Sequence, residues 1–471
     1  MDTAAPAGLF DRALRRLLDA WRDVAGGAGD ADIATQMREC LEAKGGEVSA
    51  RARSARLAQA YLAADAEGRA AFLRTLASFD SDPRAVDSAI AALQAAGTDS
   101  AEAARARMEL RRALEAPRAR LVTQFTSLPE GVRFVVELRA ALLQLAKKDT
   151  ALGALEADVR ALLAAWFDVG FLELRRIDWH SPANLLEKLV GYEAVHEIRS
   201  WRDLKNRLDS DRRCYAFFHP RMPDEPLIFV EVALVKGLAG DVRALLDEDA
   251  PLQDPRAADT AIFYSISNCQ QGLVGISFGN FLIKRVVDEL SAEFSNLKTF
   301  STLSPIPGFR RWLDGKAGDE TLLTAEEKTS LAAALAASGG GAAKAEGGPN
   351  PLAALLARKG WHRDAALAEA ARPVLLRLCA RYLLGESAEA RPGRPRRALD
   401  PVGHFHLTNG AQAERLNWLA DRSEKGIRES AGLMVNYLYD RDAIEANHEA
   451  YVGQGRRAAS TALKRLARGW I

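Results

Sequence analysis

The sequence predicts a two-domain α+β protein, in which an all-α helical bundle over residues 1–187 precedes an α/β domain over residues 188–471. Three observations predict this fold class. Apolar residues recur at helical spacing through roughly the first 185 residues, with charged residues between them. Beyond His196, short runs of β-branched and aromatic residues alternate with turns and helical segments. A chain of 471 residues is also too long for one ordinary hydrophobic core.

Helices are predicted in the first domain from apolar side chains three and four residues apart. The clearest sets are Leu14, Leu17, Leu18 and Trp21, and then Phe134, Val135, Leu138, Ala141, Leu142 and Leu145. Breaks are expected at Asp80–Pro83 and at Ala116-Pro117, because the residue before a proline disfavours helical backbone. The pattern contains no strands and no cluster of side chains suited to catalysis. We therefore expect a bundle that packs and self-associates.

Strands are predicted in the second domain from the β-branched and aromatic runs. They are Arg213–Phe218, Leu227–Leu234, Thr260–Ser267, Lys298–Ser301 and, late in the chain, Gly403–Leu407. A turn rich in proline and aspartate at 220–226 joins the first two strands. Because ligands in α/β folds gather at the carboxyl ends of strands, those ends are the expected place for a site.

A helical insertion is predicted over about residues 313–385. It contains a stretch rich in glycine and alanine at 337–350, which predicts a flexible loop. A second loop at 386–397 carries several arginines. Contact with nucleotide phosphates is one interpretation of this basic cluster, and a solvated loop is the favoured one.

The charge balance narrows the classes of function. Lys and Arg number 64 and Asp and Glu number 63, which argues against nucleic acid or an anionic membrane as the main partner. Because the overall charge is nearly balanced, an acidic ligand would have to be held by groups gathered locally at its binding site. No apolar run reaches the length of a membrane span, and the first residues lack a basic segment followed by an apolar one. We expect a cytoplasmic protein.

Cysteine and histidine spacing predicts neither a disulfide framework nor a metal centre. Four cysteines lie far apart without a C-x-x-C pair: Cys40, Cys214, Cys269 and Cys379. Buried thiols are expected, although the position of Cys269 beside a glycine-rich segment leaves a reactive thiol open. The pair His404-x-His406 has no companion ligand at metal-binding spacing.

The segment most suggestive of ligand binding is punctuated by glycine and joins a strand to a helix. The strand Ala261–Ser267 leads through Val274–Asn280 into the helical pattern Phe281–Leu290. Backbone N–H groups at such a helix start favour phosphate, and glycine permits its close approach. The spacing Gly275-x-x-x-Gly279 fits neither the P-loop nor the dinucleotide fingerprint. On spacing alone, a plain turn with positive φ is an equal alternative.

Five blocks of sequence, in the family's order, resemble the malonyl-CoA decarboxylase family. They are His219–Phe229, Ala261–Glu289, Phe300–Phe309, Asp400–Ala411 and Gly432–Tyr439. Together they are far more specific than a short motif, whereas the N-terminal third resembles the family mainly in its helical character. The resemblance implies a catalytic domain of the GNAT acetyltransferase fold. The expected architecture is thus an all-α bundle followed by a GNAT-like α/β domain with a helical insertion.

By the same resemblance, the glycine-rich loop wraps the pyrophosphate of CoA with backbone N–H groups. The implied binding residues are Val274, Gly275, Ile276, Ser277, Phe278, Gly279 and Asn280. The sequence departs from some relatives at Ser277, where they carry a glutamate. No catalytic role for a glutamate is therefore carried over to this chain.

The resemblance implies that Ser304 and His406 form a catalytic dyad and that Tyr439 orients the histidine. Two prolines follow Ser304 closely and stiffen its turn. From the residues alone, a serine that ends a strand and a histidine in a half-buried strand are the more ordinary interpretations. Three further polar residues stay open as alternative or additional members of the site: Tyr437, Asn409 and Asn436.

The implied reaction converts malonyl-CoA to acetyl-CoA and CO2. The electron pair left by CO2 is delocalised into the thioester carbonyl, so the site needs donors to an oxyanion and a proton for carbon. No metal, biotin or pyridoxal phosphate is expected. Acyl transfer of the GNAT type and non-catalytic sensing of acyl-CoA are the alternatives. The resemblance also implies a homodimer or homotetramer.

Overall fold

The computed structural model describes residue 21 and residues 32–42, 47–97, 100–276, 282–338, 350–389 and 395–469. Among the described residues up to Trp166, the regular elements are all helices, and the predicted helix of Leu14, Leu17 and Leu18 lies outside the described residues. In chain order, the helices are α1 (Ile33–Leu41), α2 (Glu47–Ala63), α3 (Ala66–Ala77), α4 (Pro83–Ala95), α5 (Ala101–Leu114), α6 (Pro117–Phe125), α7 (Gly131–Leu145) and α8 (Thr150–Trp166). The predicted breaks before Pro83 and Pro117 are confirmed, since each proline opens a helix.

A mixed β-sheet follows the helices. Its strands are β1 (Glu173–Ile177), β2 (Arg212–His219), β3 (Met222–Val235), β4 (Thr260–Asn268), β5 (Thr299–Thr302), β6 (Ser304–Pro305), β7 (Gln412–Asn417) and β8 (Met434–Leu438). Their order is β1-β2-β3-β4-β5-β8-β6, and β7 pairs antiparallel with β8 along its whole length. Strands β4 and β5 run parallel, with Phe263 opposite Thr302. Their carboxyl ends therefore point the same way.

The remaining helices cover the sheet and form the insertion. They are α9 (Ala183–Tyr192), α10 (Trp201–Arg207), α11 (Val242–Leu245), α12 (Leu282–Glu293), α13 (Phe309–Gly315), α14 (Ala325–Ala337), α15 (Pro351–Ala357), α16 (Ala365–Leu384), α17 (Pro401–Thr408), α18 (Glu424–Ser430), α19 (Ile444–Gln454) and α20 (Thr461–Leu466). Helices α13 to α16 occupy the predicted insertion between β6 and β7. Residues 339–349 of the predicted flexible stretch rich in glycine and alanine lie outside the described residues, and so do residues 390–394 of the basic loop.

Two predictions of secondary structure are wrong. The late strand predicted at Gly403–Leu407 is helix α17. Asp400 caps this helix by accepting a 2.7 Å hydrogen bond from the Gly403 N–H, and Pro401 occupies its first turn, so helix-start signals outweigh the apolar run. Strand β1 lies where only helices were predicted. Its sequence is mostly charged, and antiparallel pairing with β2 makes it a strand.

The helical part and the sheet share one apolar core. A continuous cluster of buried side chains runs from Trp21 to Ala467. Polar contacts join the two parts as well, since Arg133 on α7 forms a 2.8 Å ion pair with the buried Glu225 on β3. The all-α part followed by an α/β sheet is confirmed. The boundary between residues 187 and 188 stays a prediction, although β1 already belongs to the sheet before it.

Candidate active site

The structure brings together three of the residues singled out in the sequence. Ser304 Oγ lies 3.0 Å from His406 Nε2, and His406 Nδ1 lies 2.8 Å from the Tyr439 hydroxyl. All three side chains are buried. The arrangement is a hydrogen-bonded row of hydroxyl, imidazole and phenol. Such a row can pass a proton or orient one, and the catalytic role of its members stays a prediction.

Ser304 is held in place by its strand and by a threonine. It begins β6, which pairs Ser304 with Val435 of β8. Its hydroxyl donates a 2.8 Å hydrogen bond to Thr302 Oγ1, which also accepts from the Tyr437 N–H at 3.1 Å. Thr302 was not singled out in the sequence. The signal was available, because residues two apart in extended chain share a face.

Helix α17 explains why only one of two neighbouring histidines reaches Ser304. Residues two apart on a helix lie about 200° apart around its axis, so their side chains diverge. His406 faces the sheet, whereas His404 Nδ1 lies 2.8 Å from the Tyr451 hydroxyl on α19. The predicted strand Gly403–Leu407 would have put both histidines on one face, and the helix rules that out.

Two tyrosines contact His406 in different ways: Tyr437 lies on β8, and Tyr439 directly follows it. Tyr439 supplies the hydroxyl at Nδ1. The Tyr437 ring stacks on the imidazole, with centroids 4.6 Å apart and planes inclined by 26°. Tyr437 and Tyr439 are two apart in extended chain, so both rings project from the same face. The imidazole plane is therefore fixed by stacking and by hydrogen bonds at both nitrogens.

Burial keeps His406 neutral. Loss of solvation lowers the pKa of His406 to about 3, because nothing compensates the buried imidazolium charge. Burial likewise raises the pKa of Tyr439 well above its usual range. Near neutral pH the row is therefore uncharged, with one N–H on the imidazole and a hydroxyl on each side.

The two asparagines considered in the sequence have different surroundings. Asn436 belongs to a network on the other face of β8, where it donates to the Ala239 and Thr302 carbonyls and accepts from Asn417. These partners belong to the sheet and its flanking loop, not to the row of Ser304, His406 and Tyr439. Asn409 follows α17, is buried, and donates to the Phe405 carbonyl. Its Oδ1 has no hydrogen-bond partner within the part of the chain that the structure describes.

The glycine-rich loop is described only in its first part. After β4 the chain makes a 3-10 turn at Gln271–Leu273 and reaches Ile276, and helix α12 begins at Leu282. Gly275 has φ +77°, a conformation that favours glycine. Ser277, Phe278, Gly279 and Asn280 lie outside the described residues. The strand, loop and helix order is confirmed, and phosphate binding stays a prediction.

The loop and Ser304 lie at the same edge of the sheet. Because β4 and β5 are parallel and Phe263 is opposite Thr302, Ser304 lies just past the carboxyl end of β5. Strand β4 continues five residues further, to Asn268. At about 3.3 Å per residue, the end of β4 lies roughly 16 Å beyond Thr302 along the strand direction, and the glycine-rich loop comes after it.

Neither cysteine chemistry nor a metal cluster adds to this site. All four cysteines are buried, and burial raises the pKa of Cys269 well above its usual value, which makes it a packed thiol. Within the described ranges, no group of three or more His, Cys, Asp and Glu side chains is arranged to hold a metal ion. The same ranges contain no helix long and apolar enough to cross a membrane.

A buried hydroxyl–imidazole–phenol row at the end of a sheet strand is an arrangement suited to acid–base chemistry, and a catalytic role for this row stays a prediction. The family model for the malonyl-CoA decarboxylase C-terminal domain matches residues 170–470, and the model for the N-terminal domain of the same enzymes matches residues 79–167. The chain belongs to the malonyl-CoA decarboxylase family, and so to the carboxy-lyases.

Solved structures and curated proteins agree with the family models. The crystal structure of malonyl-CoA decarboxylase from Rhodopseudomonas palustris is 43% identical, covers 92% of this chain and 98% of its own, and has a TM-score of 0.81. The enzyme from Agrobacterium vitis is 42% identical, with coverage of 93% and 99% and a TM-score of 0.80. Mitochondrial malonyl-CoA decarboxylase of Rattus norvegicus is 39% identical over 73% of this chain and 70% of that protein.

Proposed function

We propose that this chain decarboxylates malonyl-CoA to acetyl-CoA and CO2, with Ser304, His406 and Tyr439 as its catalytic residues. Membership of the malonyl-CoA decarboxylase family supports the reaction. The observation that carries the assignment of residues is the row of hydrogen bonds from Ser304 Oγ through His406 to the Tyr439 hydroxyl.

Decarboxylation breaks the bond between the carboxylate carbon and the methylene carbon. CO2 leaves, and the electron pair moves into the thioester as an enolate. A hydrogen-bond donor at the enolate oxygen or at the departing carboxylate lowers this barrier. Ser304 lies at a stiff strand end before Pro305, and its one hydroxyl proton is donated to Thr302 Oγ1 at 2.8 Å. Rotation of that proton away from Thr302 would present the donor to the substrate.

The enolate carbon then takes a proton. The low pKa of His406 means that the imidazole enters the reaction neutral, so the proton comes from a neutral N–H or from the serine hydroxyl that it contacts. As that proton leaves, the Tyr439 hydroxyl at Nδ1 stabilises the negative charge developing on the ring. Solvent restores the proton after product release. The group that donates the proton directly to the enolate carbon is either Ser304 or His406. In both cases the proton passes along the same hydrogen-bonded row.

The position of the glycine-rich loop suits a CoA thioester. Val274–Asn280 is proposed to bind the pyrophosphate, and it follows β4, which extends beyond the level of Ser304 along the strand direction. The pantetheine arm of CoA is an extended chain that separates the pyrophosphate from the thioester. The sheet edge between loop and Ser304 is therefore the proposed path of that arm.

Three further properties belong to this proposal. The reaction uses no metal, biotin or pyridoxal phosphate, because the thioester itself accepts the electron pair. The chain acts in the cytoplasm. It assembles as a homodimer or homotetramer, with no nucleic acid or membrane partner.

Incubation of the purified protein with malonyl-CoA and no acyl acceptor tests the proposed reaction. We expect equimolar acetyl-CoA and CO2, measured by chromatography and by CO2 release. An acyltransferase of the GNAT type would require an amine acceptor, and an acyl-CoA sensor would bind malonyl-CoA without turning it over. Unchanged malonyl-CoA would refute the proposal.

A further inference from the structure

Arg139 is a buried cation at the boundary between the helical part and the sheet. It lies on α7, in the N-terminal region to which the sequence assigned no chemistry, and only 1% of its surface is exposed. A buried guanidinium needs a counter-charge and acceptors for its N–H groups. The hydrogen-bond partners of Arg139 therefore indicate its role.

One side of the Arg139 guanidinium faces a carboxylate on the next helix. Its Nε and Nη2 donate to Glu156 Oε1 on α8 at 3.1 and 2.7 Å. Because Arg is planar and its donors are fixed in direction, this pairing sets the orientation of the remaining nitrogen. That nitrogen, Nη1, points out of the bundle.

Arg139 Nη1 donates to the backbone of the glycine-rich loop. It bonds the Gly272 carbonyl at 2.5 Å and the Val274 carbonyl at 3.0 Å. The exposed Arg160, also on α8, donates to the Gly275 carbonyl at 3.3 Å. Three carbonyl groups within four residues are thus held by arginines of the helical part.

The 3-10 turn before the loop also packs directly on the backbone of α7. A Cβ atom added to Gly272 would lie 1.8 Å from the Val136 carbonyl oxygen, so only glycine fits there. The helix thus sets the position of the turn by close contact, and Arg139 sets the direction of its peptide groups.

We propose that Arg139, oriented by Glu156, is a positioning residue for CoA binding. A trans peptide unit points its carbonyl and its N–H in opposite directions. Holding the Val274 carbonyl against Arg139 therefore turns the Gly275 N–H away from the helices, towards the side where a phosphate would bind. This inference rests on the proposed role of Val274–Asn280 as the CoA pyrophosphate loop, and it gives the helical domain a part in substrate binding.

The Arg139→Gln variant tests the inference, with Arg118→Gln as the matched control. Arg118 is equally a buried arginine of the helical part, and it pairs with Asp80 and Asp158 and donates to the Ala77 carbonyl. None of these three partners belongs to the loop. If Arg139→Gln leaves the binding-competent loop populated about a tenth of the time, the apparent Kd for free CoA rises about tenfold.

Titration calorimetry with free CoA and steady-state kinetics with malonyl-CoA give the readouts. We expect Arg139→Gln to raise Kd and KM together while kcat stays within about twofold of wild type, since Ser304 and His406 are untouched. Arg118→Gln is expected to lower the thermal midpoint without changing Kd or KM. Equal effects of the two variants on KM would overturn the inference.

Two milder variants keep the test decisive if Arg139→Gln does not fold. Glu156→Gln keeps the shape of its side chain, and Arg160→Ala removes an exposed one. Both are expected to raise KM and Kd without changing kcat, by less than Arg139→Gln. Unchanged KM in both refutes the inference. A wild-type protein that forms no acetyl-CoA would instead refute the proposed function, so the two failures are distinct.

Discussion

The state of a single imidazole governs how this site handles protons. Burial lowers the pKa of His406 to about 3, so the ring is neutral from pH 5 to pH 8. An imidazole of ordinary pKa would gain a proton across that range. The His406 side chain therefore acts as a neutral donor held between two hydroxyl groups.

The first prediction concerns pH. We expect kcat to show no step near pH 6.5, because lowering the pH does not protonate His406 until about pH 3. In the unfolded chain the same ring takes a proton below about pH 6.5. Its contribution to stability is thus complete above that pH and is lost as the pH falls towards 3. A kcat profile between pH 5.5 and 8 that follows a group of pKa 6 to 7 would contradict the neutral imidazole.

The second prediction concerns Ser304. Ser304→Ala removes a preorganised donor and should lower kcat by about 10²–10³-fold, or roughly 2.7–4 kcal/mol, with CoA affinity unchanged. Ser301→Ala is a nearby control, since Ser301 is also buried and donates only to backbone carbonyls, those of Tyr437 and Thr302. Near-normal turnover by Ser304→Ala, or equal losses in both variants, would exclude the role given to Ser304.

At the scale of elements, the loop after β4 depends on backbone conformation. Gly275 has φ +77°, and apart from its chain neighbours no atom of the described residues lies within 4 Å of the place where a Cβ would stand. Gly275→Ala therefore adds backbone strain of about 1–2 kcal/mol without a clash. We expect it to weaken CoA binding as measured by calorimetry.

Gly237→Ala is the matched control for Gly275→Ala. Gly237 has φ +68° and equally open surroundings, and it lies between β3 and α11, away from the loop. Both variants should lose similar stability in thermal unfolding. If CoA affinity falls equally in both, or in neither, the loop is not the CoA site.

Local sequence signals predicted most of the elements that surround the site. Strands β2 to β5 follow from β-branched and aromatic runs, and α12 follows from its apolar periodicity. Helix α17 was not predicted because a short apolar run is compatible with strand and helix alike, and the capping signal of Asp400 followed by Pro401 decides for the helix. Strand β1 was missed because only pairing with β2 makes its charged sequence extended.

The candidate site was only partly predictable for a different reason. Ser304, His406 and Tyr439 were reached through resemblance to a family, since each alone is an ordinary polar residue. The stacked Tyr437 ring depends on the packing of α17 against β8, two elements distant from Ser304 in sequence. Thr302 was within reach of sequence reasoning, since it lies two residues before Ser304 in extended chain. Arg139 depends on a contact between distant elements that no local pattern encodes.

At the scale of the whole molecule, the continuous core joins the helical part to the sheet. Buried side chains from Trp21 to Ala467 form one cluster, and the pair Arg133–Glu225 crosses between the two parts. Cooperative unfolding follows when no solvated gap separates two regions. The helices and the sheet are therefore expected to unfold together.

Calorimetry combined with circular dichroism tests this prediction. We expect a single thermal transition, with helical and aromatic signals lost at the same temperature. Two resolved transitions, with helical signal lost first, would show that the N-terminal helices form an independent domain.

The central claim is that the row of Ser304, His406 and Tyr439 decarboxylates malonyl-CoA, and one comparison of turnover tests it most directly. Acetyl-CoA formation is measured for wild type, His406→Ala and His404→Ala, together with the affinity of each for CoA. General acid catalysis contributes about 10²–10⁴-fold, so His406→Ala should lose that factor in kcat with unchanged CoA affinity. His404, which contacts Tyr451 on the other side of α17, should tolerate alanine with little loss of turnover. Equal losses in the two variants, or wild-type turnover in His406→Ala, would contradict the account.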